Sequence, residues 1–368
     1  MIDLLVLIAV SLLFAYVIQN RTRFYSSARL GIKDDMQSRV VYWGIVIAFI
    51  LFAGLRSSYN DTTAYTHAFE MVNINDLNLS TLMESYGGFE IYQILIKRYI
   101  SDNPQVFIFV SAIVTNMLYF TFYVRHTDRF CEMLLMYVIS IYMFSMAGLK
   151  QAIAIAISLY AIENYLNHRY VRALLFLLLA MSFHPYIICL LCIPFLKNKV
   201  WDIRTIFVIA VCVIAFMNLD IVFGLLNAIG KDYSEETFDD YTINPIRVLI
   251  EAVPVILSFI YRKQINESAN RMCILGVNMM IISFVFIAMG LFMNPIYFGR
   301  MSIYFTALSA VVIPEMLFTI WKHDRNRKAY TAAYYLFFFT YFLMDLTKIG
   351  SISIFTDQFK HVPLTSLF

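Results

Sequence analysis

A short segment between two apolar runs holds several of the polar side chains that could act on a substrate. Residues 53–92 begin with AGLRSSYNDTTAY, which contains Arg56, Asp61 and Tyr65, and they end with GGFEIY, which contains Glu90. A guanidinium can hold a phosphate through two parallel hydrogen bonds, and a carboxylate can take a proton from an attacking hydroxyl. The segment therefore supplies a group that could bind an anion and a group that could act as a general base.

Other polar groups occur where later apolar runs begin or break. Lys150 and Gln151 begin one run, and His184 precedes Pro185 at a break in another. An anion bound at the start of a helix would satisfy both a lysine there and the helix dipole. Each group also has a structural alternative, because a lysine can be solvated at the interface and a histidine can be a hydrogen-bonded core residue.

Arg300 lies among aromatic residues in the stretch NPIYFGRMSIYF. A guanidinium between aromatic rings suits phosphate recognition combined with sugar stacking, so we expect Tyr297 and Tyr304 to bind substrate with it. The alternative is a cation–π anchor at the membrane interface. If Arg56, Lys150, His184 and Arg300 converge, they would receive a dianion, with Glu90 or His184 as the general base.

Several functional classes lack their motifs in this chain. The sequence contains no HExxH pair and no Walker loop, so we expect neither a metal ion nor ATP at the site. We expect no cofactor and no nucleic-acid partner. The five cysteines all lie in apolar runs, which favours small buried side chains over a disulfide framework.

The composition indicates an all-α integral membrane protein. Of the 368 residues, 61% are hydrophobic and 14% are charged, whereas soluble proteins carry about 25% charged residues. A membrane-spanning helix needs about 20 apolar residues. The apolar runs predict a single domain, 1–368, with about twelve transmembrane helices, two of them short and broken around His184-Pro185. These runs are 2–19, 40–56, 105–124, 130–148, 150–166, 170–183, 185–196, 204–220, 247–261, 272–292, 301–320 and 330–346.

The distribution of basic residues predicts which ends of these helices face the cytoplasm. Nineteen of the 28 Lys and Arg residues fall in connections that the positive-inside rule assigns to that side. These connections are 20–39, 125–129, 167–172, 197–204, 262–271 and 322–328. The outer side then receives the loop 57–104, the acidic loop 220–246 and the tail 347–368. Within 57–104, the stretch FEIYQILIKRYI predicts a short amphipathic helix at the outer interface.

The order of five motifs resembles a known family. AGLRxxxxDTxxY, GFEIYQxLIK, GLKQAIAIAI, FHPYII and GRMSIYF follow one another as in the EpsG-like branch of bacterial Wzy-type polysaccharide polymerases. The resemblance implies a GT-C-like or Wzy-like glycosyltransferase in the bacterial inner (cytoplasmic) membrane. Such an enzyme joins oligosaccharide repeat units carried on undecaprenyl diphosphate at the outer leaflet, for O-antigen, capsule or exopolysaccharide. Membrane lipid, a chain-length regulator and a flippase are the other expected partners.

The family motifs fall on seven positions of this chain, and near two of them the chain departs from the family pattern. Lys150 stands where the family usually has arginine, and Tyr186 follows His184-Pro185 where a small residue is common. The seven positions are Arg56, Asp61, Tyr65, Glu90, Gln151, His184 and Arg300. We expect Glu90, His184, Arg56 and Arg300 to be catalytic, and Asp61, Tyr65, Lys150, Gln151, Tyr297 and Tyr304 to bind substrate. A ligase that uses a polyprenyl-linked sugar and a flippase of lipid-linked oligosaccharides remain alternatives.

Overall fold

The protein is built almost entirely from helices. A computed structural model describes residues 2–21, 36–76, 87–218, 243–292, 295–348 and 359–368. Helices suit these apolar runs because a helix satisfies its own backbone hydrogen bonds where no water is available. Most of the predicted acidic loop 220–246 lies outside the described residues.

The described residues of the first half of the chain form eight α-helices, some of which carry candidate polar groups of the segment 53–92. The loop predicted at 57–104 contains two of them, and the second is the predicted amphipathic helix. The eight helices are α1 (Ile2–Arg21), α2 (Met36–Gly54), α3 (Thr62–Glu70), α4 (Gly87–Tyr99), α5 (Pro104–His126), α6 (Phe130–Tyr137), α7 (Met143–Ala147) and α8 (Leu149–Leu166).

The second half continues with nine described helices. They are α9 (Tyr170–Phe183), α10 (Ile193–Leu196), α11 (Ile203–Met217), α12 (Pro245–Ile260), α13 (Arg262–Ser268), α14 (Arg271–Met289), α15 (Pro295–Thr306), α16 (Ser309–Trp321) and α17 (Arg327–Lys348). Two short strands, β1 (Arg56–Ser58) and β2 (Lys360–His361), pair antiparallel and bring residues 359–368 back beside the end of α2.

The described helices identify a multi-pass membrane protein. Five segments among the described residues are long and apolar enough to cross a membrane, and a bent pair of helices raises the number to six. The predicted count of about twelve is not confirmed, because several other apolar helices have only 10–17 residues. The five segments are Ile2–Asn20, Met36–Gly54, Pro104–His126, Phe130–Ala147 and Arg271–Met289.

Three irregular stretches interrupt the helical bundle. The predicted break is present, because α9 ends at Phe183 and a 3₁₀ helix, Pro185–Cys192, follows His184. The sequence did not indicate the other two irregular stretches. A π-helical stretch, Val138–Tyr142, joins α6 to α7. The run predicted as one span, 301–320, is instead bent by 61° between α15 and α16.

Tyrosine hydroxyls bond backbone carbonyls inside the bundle. Tyr123 donates to the carbonyl oxygen of Ala307 at the bend between α15 and α16, with a distance of 2.6 Å. Tyr142 donates to Phe49 on α2 at 2.9 Å, and Tyr119 donates to Ala152 on α8 at 3.1 Å. These bonds tie neighbouring helices together and satisfy carbonyl groups that lie away from water.

We expect Tyr123→Phe to lower the free energy of unfolding by about 1 kcal/mol, because the Ala307 carbonyl at the bend loses its buried partner. Thermal unfolding of the purified protein in detergent measures the change. The matched control is Tyr99→Phe, since the Tyr99 side chain is 68% exposed. Equal unfolding midpoints for the two variants would contradict a role for the hydroxyl at the bend.

Candidate functional site

Arg56 is buried just beyond the end of α2, with its guanidinium bonded to the protein framework. It is 1% exposed. Its Nε donates to Thr62 Oγ1 at 3.2 Å, Nη1 donates to the Ala53 carbonyl, and Nη2 donates to the Met146 carbonyl at 3.0 Å. The side chain therefore joins the ends of α2 and α7 and the start of α3.

The burial of Arg56 changes its pKa but not its charge at neutral pH. Loss of solvation lowers the pKa of the guanidinium to about 10, while the nearby tyrosines Tyr142, Tyr59 and Tyr65 act in the opposite direction. The group thus remains a cation that donates to helix-terminal carbonyls. Its predicted contact with phosphate stays a prediction.

The other residues of the first motif lie on or beside α3. Asp61 is exposed at the position preceding the helix and makes no side-chain capping bond. Tyr65 is half-buried, and its ring meets that of Phe89 edge-on with 6.1 Å between the centroids. Tyr65 thereby connects the first motif to the helix that carries Glu90.

Glu90 lines a small polar cavity between α3, α4 and the start of α8, which we call the α4 cavity. Its volume is about 340 Å³. Lys150 lines the same cavity, so the structure brings two of the predicted site residues together. The Lys150 ammonium lies 5.7 Å from the centroid of the Phe89 ring. The lining residues are Ala68, Met71, Val72, Asn73, Asp76, Phe89, Glu90, Gln93 and Lys150.

The wall of the α4 cavity is held by Lys97 of α4. Its Nζ donates to three carbonyl oxygens at the end of α3, those of Phe69, Glu70 and Val72, at 3.1, 2.6 and 2.9 Å. These are carbonyls that a helix end leaves without intrahelical partners. The bonds fix the turn after α3 against α4 and thereby shape the cavity.

α4 also packs closely against the end of α9, near the His184 break. A Cβ atom built on Gly88 would come within 2.1 Å of Ser182 Oγ, so the two helices approach without room for a side chain. The Phe89 and Phe183 rings meet edge-on with 6.3 Å between the centroids. The helix that carries Glu90 is thus fixed directly beside His184.

His184 and Tyr304 form a buried polar pair. The Tyr304 hydroxyl and His184 Nδ1 are 2.7 Å apart, and both side chains are buried. Pro185 ends the regular helix here, which places His184 in an extended conformation at the break. The pair joins the break to α15, the helix that carries Arg300.

Arg300 lines a second, larger cavity along α15, which we call the α15 cavity. Its volume is about 490 Å³, and the π-helical stretch and α12 contribute to its wall. The Arg300 side chain is exposed and, among the described residues, its guanidinium has no hydrogen-bond or ion-pair partner. Arg247 also lines the cavity, and its Nε donates to Glu251 Oε1 one helical turn away at 3.0 Å. Much of the remaining wall is apolar, from Met136, Ile139, Met143, Phe144, Ile250, Pro254, Met280, Ile303, Ile313 and Phe338.

Two consecutive residues of α8 each contact a different one of the two cavities. Lys150 lines the α4 cavity, while Gln151 Nε2 donates to the Arg300 carbonyl at 2.9 Å. The structure therefore brings together Lys150 with Glu90, Gln151 with Arg300, and His184 with Tyr304. The side chain of Tyr297 lies outside the described part of the structure.

A third cavity, of about 370 Å³, lies at the opposite end of α8. In its lining, Glu163 Oε2 lies 3.7 Å from Arg125 Nη2, and Glu163 Oε1 lies 3.3 Å from His126 Nε2. Lys150 and Glu163 are thirteen residues apart on one helix, which is about 20 Å along its axis. The sequence patterns gave no indication of this cavity.

The bent and broken helices and the clustered polar groups define a multi-pass membrane protein with polar cavities at both ends of α8. The chain belongs to the EpsG family, whose profile matches residues 40–359. EpsG-like proteins are Wzy-type polymerases, so this is a polysaccharide-polymerase-like membrane protein. No protein of curated function and no solved structure matches the chain.

We expect Arg56→Lys to lower the free energy of unfolding by about 2 to 4 kcal/mol, because one ammonium cannot reach all the oxygens that the guanidinium holds. Thermal unfolding in detergent measures the change, and exposed Arg98→Lys on α4 is the matched control. A variant that unfolds like the wild type but makes no polymer would instead favour the predicted phosphate contact.

Proposed function

We propose that this protein is a metal-independent polysaccharide polymerase of the bacterial inner membrane, with its active site open to the outside. It joins oligosaccharide repeat units carried on undecaprenyl diphosphate and releases undecaprenyl diphosphate at each step. One observation carries the proposal within the EpsG family: consecutive residues at the start of α8 contact two cavities of different chemistry, because Lys150 lines one and Gln151 bonds the backbone of Arg300, which lines the other.

The α15 cavity suits the lipid-linked donor. Its apolar wall can receive a polyprenyl chain, while Arg300 offers a guanidinium that other side chains of the described structure leave unpaired. A guanidinium binds phosphate oxygens through parallel hydrogen bonds and stabilises the charge that develops as the diphosphate departs. Tyr297 and Tyr304 are proposed to bind the donor with Arg300.

The α4 cavity suits the acceptor, and Glu90 is the proposed general base. Its carboxylate takes the proton of an acceptor hydroxyl, whose oxygen forms a bond to the anomeric carbon of the donor sugar. The bond from that carbon to the diphosphate oxygen breaks, and the electron pair leaves with the diphosphate. His184 is the second candidate for the base, with its Nδ1 already bonded to Tyr304.

The remaining predicted residues support these two subsites. Lys150 and Gln151 are proposed to bind substrate at the start of α8, and Asp61 and Tyr65 are proposed to bind substrate beside α3. Arg56 is proposed to act chiefly by positioning the ends of α2 and α7, because its guanidinium is engaged by the framework.

We expect Arg300→Ala to lower the rate of polymerisation by two to three orders of magnitude, or about 3 kcal/mol of transition-state stabilisation. In a deletion strain complemented with the variant, glycan gels should show single repeat units in place of long chains. Exposed Arg204→Ala on α11 is the matched control. Wild-type chain lengths from Arg300→Ala at normal expression would refute the proposed donor contact.

We expect Glu90→Gln to lower kcat by at least about two orders of magnitude, because an amide cannot accept the acceptor proton. Rates are measured with the purified protein and lipid-linked repeat units, with exposed Glu267→Gln on α13 as the control. If Glu90→Gln keeps the wild-type kcat while His184→Gln lowers it strongly, His184 rather than Glu90 is the general base.

A flippase of lipid-linked oligosaccharides is the second candidate function. The charged cavity at the far end of α8 favours it, because a transporter needs polar groups that are accessible from both faces. Reconstitution separates the two functions: a polymerase lengthens lipid-linked glycan in detergent micelles, whereas a flippase only moves it across a vesicle membrane. A single addition without a ladder would indicate a ligase.

A further inference from the structure

Gln93 is a buried polar side chain in the α4 cavity to which the described residues offer its amide nitrogen no partner. Gln93 lies on α4, one turn after Glu90, and it is 6% exposed. Its Nε2 atom has no hydrogen-bond partner among the described residues. A buried amide donor without a partner destabilises the folded state, so native proteins retain few of them. A bound molecule that accepts a hydrogen bond from this amide would explain why it lies here.

The Gln93 side chain lines the α4 cavity together with Glu90. The two residues are three positions apart, so they lie on the same face of α4. Lys150 of α8 and the turn after α3 complete the polar lining. Within that turn, Asn73 Nδ2 donates to Asp76 Oδ1 at 3.1 Å, which fixes the wall facing α4. The cavity is thus a built polar site.

The charges of the α4 cavity argue against a phosphate as its occupant. Two carboxyl side chains, Glu90 and Asp76, accompany one ammonium group, that of Lys150. A site with no excess of cations does not attract a dianion, and its carboxylates would repel one. Hydroxyl groups can donate to carboxylates and accept from amides and ammonium groups. A neutral, polyhydroxylated ligand therefore matches the lining.

We propose that the α4 cavity binds a neutral sugar ring of the acceptor glycan and that the Gln93 amide donates a hydrogen bond to an oxygen of that sugar. The identity of this sugar as the acceptor rests on the proposed function. Gln93 is then a specificity-determining residue, because a sugar without an oxygen at this position would leave the amide unpaired. Glu90 receives the proton of a neighbouring hydroxyl on the same ring.

Binding measurements on the purified full-length protein test the proposal with two probes, the delipidated repeat-unit oligosaccharide and undecaprenyl diphosphate. Gln93→Leu should weaken binding of the oligosaccharide by about tenfold or more, because the hydrogen bond is lost. Binding of undecaprenyl diphosphate should be unchanged. The thermal unfolding midpoint should be retained or raised, since leucine replaces an amide whose nitrogen has no partner among the described residues. Exposed Gln264→Leu on α13 is the matched control.

Two results would overturn the sugar site. The first is wild-type affinity of Gln93→Leu for the oligosaccharide, and the second is a lowered unfolding midpoint, which would reveal a structural partner of the amide. If Gln93→Leu does not fold, Gln93→Met provides the same binding test with a more flexible side chain. If only the sugar site is wrong, the wild-type protein still lengthens glycan, but Gln93→Leu binds the oligosaccharide normally. If the proposed function is wrong, the wild-type protein does not lengthen glycan, although Gln93→Leu still weakens binding of the oligosaccharide.

Discussion

The hydrogen bonds of one buried guanidinium set the geometry at the candidate site. Arg56 bonds carbonyl oxygens at the ends of α2 and α7, and Met146 is ninety residues away from it in sequence. Helix-terminal carbonyls have no intrahelical partner, and an apolar environment offers no water to replace one. Because α8 begins two residues after α7 ends, the same bonds determine where Lys150 and Gln151 start their helix. Arg56 therefore fixes the start of α8, where Lys150 lines one cavity and Gln151 bonds the backbone of Arg300 in the other. Arg56 itself lines neither cavity.

Neutral hydroxyl groups hold the irregular backbone of the bundle. Tyr123 bonds the carbonyl at the bend, and Tyr304 bonds the histidine at the break. Irregular backbone at membrane depth is tolerated where protein buries it or where it lines a cavity, and the π-helical stretch lines the α15 cavity. The abundance of tyrosine, which is ambiguous in the sequence, thus has a structural role in this interior. A hydroxyl can bond a carbonyl without the solvation cost of burying a charge.

Sequence patterns predicted the helical class, the family, the break before Pro185 and the amphipathic helix α4, because each depends on local order in the chain. They did not predict the burial of Arg56, because the sequence around an arginine at a helix end does not show whether its side chain points inward or toward lipid headgroups. The bend near Ala307 was missed because neither proline nor glycine occurs there. The sequence also could not show that the Gln93 amide nitrogen has no hydrogen-bond partner among the described residues, because that depends on how the helices pack. The count of about twelve spans is not confirmed, because several apolar helices among the described residues have only 10–17 residues.

The pairing of β1 with β2 has a consequence for how the protein is made. The strand that begins at Arg56 pairs with a segment that emerges from the ribosome some three hundred residues later, and Ser57 Oγ donates to the Lys360 carbonyl across a separation of 303 residues. Tyr59 likewise stacks on Phe359, with 4.6 Å between the ring centroids. Throughout insertion into the membrane, that strand edge therefore remains open. A chain that ends before residue 359 would therefore lack the partner of β1 and the ring that stacks on Tyr59.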